Sequence, residues 1–302
     1  MAFSILNRED HQVFIGSGQV FGVQSVSTSY TVPEQPMEVV GSNRIIPIPT
    51  SSQVGEVSLS AMSVDKDPFI QCISDQSFNG YFLKDQNDFG KHYYAFNSGY
   101  LLSYSNSCSV GQVPTMEANF RVVGDMGRIP TGEMATDAQG EVEYIKNTTK
   151  TDPVFKFPTA STIEITLDDF KTNLVQNYQI SINIPRKDYY KLGGRKPHTV
   201  KVDYPILAQV NFTIEINDYS GNLISSYPCK QKLKNFEINL KNHKTRDLIT
   251  QFAFSGATLV SENYSADTDQ NARITATYKT YISNLNTLND NLIGPELITQ
   301  TY

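Results

Sequence analysis

Tryptophan is absent from this chain, and cysteine and histidine are scarce, at three and four in 302 residues. Cys72, Cys108 and Cys229 lack CxxC spacing and are odd in number. That argues against a disulfide framework and for buried free thiols in a reducing compartment. His11, His92, His198 and His243 are scattered, with no HxxxH or HExxH pairing and no cysteine at ligand spacing, so no metal is expected. No serine stands in a GxSxG elbow. Gly16-Ser17-Gly18 lacks the spacing of a dinucleotide loop and reads as a hairpin turn. Gly193-Gly194-Arg195-Lys196 lacks P-loop spacing and reads as a basic loop tip, with an anion contact as the alternative. Asp168-Asp169 reads as a turn or a helix cap. Asp65, Asp67, Asp75, Asp85 and Asp88 miss the EF-hand spacing and read as solvated loops. The expectation is a protein without catalytic residues or cofactor.

Long apolar runs are missing too, so no span across a bilayer is expected. The opening MAFSILNREDHQ has no basic stretch and too short an apolar one for a signal peptide. A soluble protein made in the cytosol is therefore expected, in which the glycosylation patterns at Asn147 and Asn211 carry no meaning. Charge of one sign is also modest, at −6 net, but it is unevenly placed. Residues 1–150 hold 16 acidic and 9 basic side chains, and residues 151–302 hold 15 and 16. Such asymmetry suits copies that meet front to back. Basic residues concentrate at 186–201 and 230–246, yet no reading helix accompanies them, so sequence-specific nucleic-acid binding is not expected. A neutral or acidic channel wall would instead let a polyanion pass without sticking.

What the chain does have is period-two alternation. In Val54–Val64, Val57, Leu59 and Ala61 fall on one face and Ser58, Ser60 and Met62 on the other. In Ala208–Ile216, Val210, Phe212, Ile214 and Ile216 oppose Asn211, Thr213 and Glu215. Both read as half-buried antiparallel strands with a polar outer face. Seventeen tyrosines and sixteen phenylalanines, with many Val, Ile and Thr, favour strands throughout.

The pattern occurs twice. VQSVSTSYTVPEQPMEVVG at 23–41 aligns without a gap on VQNYQISINIPRKDYYKLG at 175–193. Tyr94-Ala95-Phe96, Leu101, Ser103 and Phe120 then meet Phe252-Ala253-Phe254, Leu259, Ser261 and Tyr278 in the same order. Duplication with divergence is the reading. It divides the chain into a first β domain at 1–124, a linker or insertion at 125–153 and a second β domain at 154–302. One short helix is expected beside each sheet, at Asn242–Phe252 and, more weakly, at Asp67–Asp75. In each unit the first long strand ends at a proline, Pro33 or Pro185, and a loop of sixteen to twenty residues without evident secondary structure follows.

Several stretches resemble the tail tube proteins of tailed bacteriophages. VFIGSGQVFGVQSVSTSYTVPEQPMEVVG looks like the start of that family, and LLSYSNSCSVGQVPTMEANFRVVGD looks like its strand, SVGQVPT, strand segment; SGATLVSENYS repeats the scheme in the second unit. The resemblance implies an all-β fold of two tandem antiparallel β-sandwich or barrel units, each with a flanking helix and a long hairpin loop that reaches an adjacent ring. Inner strands would join across subunits around a channel for DNA. By position, residues 33–50 and 185–206 would be the inter-ring stacking loops, carrying Glu34, Glu38, Arg44, Arg186, Lys187, Lys191, Arg195 and Lys196. Ser58, Ser60, Asn211, Thr213 and Glu215 would face the lumen. The implied partners are copies of the chain, in trimeric pseudo-hexameric or hexameric stacked rings, and other tail proteins such as a sheath, baseplate or terminator. DNA would pass non-specifically, there would be no membrane insertion, and the site would be the virion, assembled in the host cytoplasm. The alternatives are an adaptor or baseplate hub ring at the tube end and, in another class, a host-glycan-binding module.

Overall fold

The fold was obtained as a computed structural model that describes residues 13–16, 18–38, 45–49, 54–64, 67, 69, 72–87, 90–130, 158–159, 162–167, 170–172, 175–194, 196–215, 234–267 and 270–282. Cys229 and most of the 125–153 segment fall outside that set, as do Arg44 and Arg195.

Nineteen strands account for nearly all of it. The first ten are β1 (Val13–Ile15), β2 (Gly18–Val20), β3 (Val23–Thr31), β4 (Glu34–Glu38), β5 (Ile45–Pro49), β6 (Val54–Met62), β7 (Phe78–Asn87), β8 (Gly90–Ser109), β9 (Thr115–Val122) and β10 (Met126–Pro130). The rest are β11 (Ile163–Leu167), β12 (Phe170–Thr172), β13 (Val175–Asn183), β14 (Arg186–Tyr189), β15 (Thr199–Val202), β16 (Ile206–Glu215), β17 (Lys234–Lys241), β18 (Leu248–Asp267) and β19 (Gln270–Ile282).

Each of the first nine strands has a counterpart ten places later, with the same neighbours. β1 pairs β2 and β7 as β11 pairs β12 and β17. β7–β8–β9–β6–β3 runs in parallel with β17–β18–β19–β16–β13. The irregularities repeat as well. A register shift falls at Val23/Ser25 and again at Val175/Asn177, and another at Leu101/Ser103 and at Leu259/Ser261. Each twenty-residue strand turns at a left-handed residue, Ser98 (φ 54°) in β8 and Gly256 (φ 63°) in β18. The backbone N–H there donates to a matching side chain, Asn79 Oδ1 at 3.3 Å and Asn235 Oδ1 at 3.0 Å. Shared bulges of this kind are designed features of a strand pair, so they mark common construction more sharply than sequence identity does.

The turns let β8 and β18 serve two layers. Their first halves pair with β7 and β17, and their second halves with β9 and β19. The apolar faces of the two layers meet in the core. Phe69 and Phe96 lie 6.2 and 6.4 Å from Phe120, centroid to centroid, and Phe212 stacks on Tyr278 at 5.4 Å. Val57, Leu59, Ala61, Val210, Phe212 and Ile214, the predicted inward faces, are buried. At Gly22, φ is +72° and a Cβ would lie 2.7 Å from the Met62 carbonyl, so only glycine lets the chain turn from β2 into β3.

The all-β class holds, but neither flanking helix does. Asn242–Asp247 forms a turn and Leu248–Phe252 begins β18. Ile238 and Leu240 of β17 lie opposite Phe252 and Thr250, and that ladder outweighs the helical spacing of Leu248, Ile249 and Phe252. Among the described residues of 67–75 there is likewise no α-helix. The long loops after Pro33 and Pro185 are hairpins, β4–β5 and β14–β15. Met126–Pro130, read as linker, is strand β10 on the first half of β8. Cys72 and Cys108 are buried thiols, as expected; burial pushes Cys72 well up and Cys108 up to about 11.

Candidate assembly surface

One of the two layers is a sheet of eight antiparallel strands drawn from both units, in the order β3-β6-β9-β8-β13-β16-β19-β18. Period-two alternation gives it one buried face and one polar face. Across the polar face, Ser27, Ser58, Asn119 and Ser103 continue into Asn183, while Gln179, Asn211, Thr277 and Ser261 lie farther along. Short polar side chains bond to one another there. Asn119 Nδ2 donates to Ser103 Oγ at 2.8 Å and Gln209 Nε2 donates to Asn211 Oδ1 at 3.2 Å. Thr213, expected to face a lumen, is buried in the single chain, its hydroxyl 3.0 Å from that of Thr275. Ser58 and Ser60 occupy the positions that Asn211 and Thr213 hold in the repeat, opposite Asn119 and Glu117 or Thr277 and Thr275. Glu215 lies farther along β16 and accepts from Gln176 Nε2 at 2.6 Å.

The two units join where β13 pairs with the second half of β8, from Asn177↔Ser109 to Asn183↔Ser103. Two further backbone bonds extend the seam, Ile184 N–H to the Leu102 carbonyl at 2.7 Å and Val110 N–H to the Gln176 carbonyl at 2.9 Å. Beneath it, Tyr178 Oη donates to Asn106 Oδ1 at 2.7 Å and Tyr104 Oη donates to Asp67 Oδ2. All four residues are buried. Burial, reinforced at Tyr104 by the Asp67 carboxylate, holds both phenols well above their ordinary pKa, so both remain donors. Asp67, read from sequence as a solvated loop residue, is thus a buried acceptor that also takes the Phe69 N–H at 2.9 Å.

The β14–β15 hairpin clamps the seam from the side. Arg186 donates to the Leu101 carbonyl at 3.1 Å and the Ser74 carbonyl at 2.6 Å, with its guanidinium over the Tyr100 ring. Burial pulls that guanidinium below its ordinary pKa. Asp188 takes a two-pronged bond from Arg121 at 3.1 and 2.5 Å, and the Val202 N–H donates to Asp75 at 2.8 Å. Lys196 reaches Asp125 at 2.7 Å. Of the predicted stacking-loop residues, then, Arg186 contacts the first unit of the same chain, and Lys196 contacts Asp125, the residue that follows that unit. Lys187 and Lys191 are exposed, with Lys187 Nζ 6.0 Å from the Tyr189 ring centroid. Glu34 is exposed on β4; Glu38 is in the same strand, its side chain outside the described set, like Arg44 and Arg195.

The clamp was not visible in the chain because Arg121 and Asp188 stand 67 positions apart, on strands with no local reason to meet. The buried Asn106 did leave a trace. It falls in phase with Tyr104 and Cys108, out of phase with Ser103, Ser105 and Ser107.

At the two ends of the eight-stranded sheet, β3 pairs only with β6 and the second half of β18 only with β19 among the described residues. These margins carry exposed apolar side chains, Val26, Tyr30 and Val32 at one end and Val260 and Tyr264 at the other. No group of three or more metal-ligating side chains occurs among the described residues. No family model and no curated protein matches the chain. Among solved structures it is similar to Hcp1 from Flavobacterium johnsoniae, at 9% identity and a TM-score of 0.25, over 40% of this chain and 95% of that one.

Proposed function

We propose that this chain is a structural, non-enzymatic protein of a tailed-bacteriophage virion, assembled in the host cytoplasm into stacked rings of a tail tube through which DNA passes. One observation carries the reading: an eight-stranded sheet, buried on one face and mostly polar on the other, whose end strands each have a single strand partner among the described residues. Open edges are an aggregation hazard in a monomer, and closure around an axis removes them. The buried face is already covered by the second layer, so the polar face is the one left to line a hole. Its acids and bases balance, with Glu56, Glu117 and Glu215 against Arg121, Arg273 and Lys279 on the described strands, and Arg121 is held by Asp188. Such a wall offers few cations to neutralise phosphates, which favours passage over retention.

With two units per chain, the six-unit rings implied by the resemblance take three chains. A second reading draws on the same duplication: an adaptor or baseplate hub ring at the tube end, present in few copies. Electron microscopy of the purified protein and of the virion tests the assignment. Rings with a central hole are expected, and copy number per particle separates tube from hub. A chain that stays monomeric at every concentration and salt would overturn both.

A further inference from the structure

We infer that the edge of β3 that has no strand partner among the described residues binds the second half of β18 of a second copy, in the register that β13 adopts on β8 within the chain. The inference rests on the ring reading and deepens it by naming the partner and the contacts.

The repeat supplies the register. β3 residues lie 152 positions before their β13 counterparts, and the matching bulges fix that offset, Val23/Ser25 on Val175/Asn177. β18 residues lie 158 positions after their β8 counterparts, fixed by Leu101/Ser103 on Leu259/Ser261. Carrying the internal pairs Ile182↔Tyr104, Ser181↔Ser105 and Ile180↔Asn106 across gives Tyr30 opposite Glu262, Ser29 opposite Asn263 and Thr28 opposite Tyr264. The bond from the Ile184 N–H to the Leu102 carbonyl becomes one from the Val32 N–H to the Val260 carbonyl.

Exposure agrees with this register. Tyr30 is 58% exposed where its counterpart Ile182 is 2%, and Tyr264 is 65% exposed where Asn106 is 1%. Val26 and Val32, both exposed, correspond to the buried Tyr178 and Ile184. Val26, Tyr30, Val32 and Tyr264 therefore stand at positions that the internal seam covers, while Val260 stands at the half-buried Leu102 and Glu262 at the buried Tyr104. A head-to-tail contact of this kind propagates, and it closes when the rotation per copy divides the circle. The β4–β5 hairpin would then sit where β14–β15 sits on β8. Met37 and Ile48, exposed in the single chain, lie on that hairpin.

The test uses the full-length protein. Ser29 and Asn263 stand at opposite ends of the eight-stranded sheet, about 34 Å apart along it at ~4.8 Å per strand spacing, so a bond between them joins two copies. Chains carrying only S29C are mixed with chains carrying only N263C and oxidised, with the wild type as the background for the native cysteines. Disulfide-linked dimers are expected from the mixture and from neither chain alone, and the S29C/N263C double variant should give a covalently closed ring. Mixtures that stay unlinked while microscopy shows rings would overturn this seam and leave the ring reading standing. Absence of any assembly would remove both. As a second variant, Tyr30→Asp should leave the thermal midpoint of the monomer unchanged and raise the concentration needed for half-assembly at least about tenfold, as for loss of one anchor side chain. Assembly at wild-type concentrations would count against β3 as the contact edge.

Discussion

The internal seam joins β8 and β13, whereas their counterparts in the repeat, β18 and β3, stand at the two ends of the sheet, unpaired with each other. Inside the chain, Tyr178, Ile180 and Ile182 are buried, and Arg186, Asp188 and Lys196 fasten the hairpin beside them. At the outer margins the equivalent positions hold Val26, Thr28 and Tyr30, and the fasteners have diverged. Arg121 corresponds to Lys279, and Asp188 to Pro36. On the proposed assembly, the repeat provides one joint made inside the chain and a second, between copies, with weaker fixings. A permanent joint spares the cost of bringing separate chains together; the other must form between molecules and so depends on concentration.

A charge placed at matched positions tests that equivalence most severely. Ile180→Asp should lose about 4 kcal/mol or more, read from the denaturant midpoint, because a carboxylate would be buried without a partner. Thr28→Asp, at the equivalent outer position, should fold normally. Equal damage from the two would mean that the margins are not the open form of the seam.

Gly22→Ala tests what delivers β3 to the edge. The left-handed φ and the clash with the Met62 carbonyl should cost about 2 kcal/mol and lower the melting temperature. A melting temperature unchanged by Gly22→Ala would show that this bend tolerates relaxation.

Two variants probe the contrast in fixings. A double-mutant cycle on Arg121 and Asp188 should return a coupling of about 1 kcal/mol, reduced by salt. Installing the pair at the outer joint, with Lys279→Arg and Pro36→Asp together, should lower the half-assembly concentration about fivefold, the equivalent of that coupling. No gain from the double graft, despite a measurable internal coupling, would place the β4–β5 hairpin elsewhere.

The smallest effect concerns Cys108, which lies opposite Tyr178 in the internal seam. Burial raises its pKa to about 11, so at pH 8 its alkylation should be about a hundredfold slower than that of an unfolded thiol with pKa about 8.5. The folded pKa lies above the unfolded one. The corresponding stability is therefore complete below about pH 8.5 and is lost as pH climbs toward 11. Fast alkylation in the native state would mean that the internal joint opens readily.

The class of structure, the duplication and the faces of the strands were legible in the chain alone. Alternation in Val54–Met62 and Ile206–Glu215 is a local property, since successive side chains in a strand point to opposite sides whatever lies beyond. It therefore marked Ser58, Ser60 and Asn211 as the polar side before any neighbour was known. Residues 242–252 misled because Leu248, Ile249 and Phe252 satisfy a helical spacing as well as a strand, and only pairing with Ile238 and Leu240 decides between them. Three outcomes came from the folded molecule and from nothing local. β13 takes the edge of β8, Arg186 reaches back to the first unit, and β3 and the second half of β18 each keep a single strand partner among the described residues. Those outcomes depend on backbone groups and charges that meet across dozens of residues, and no short pattern encodes such meetings.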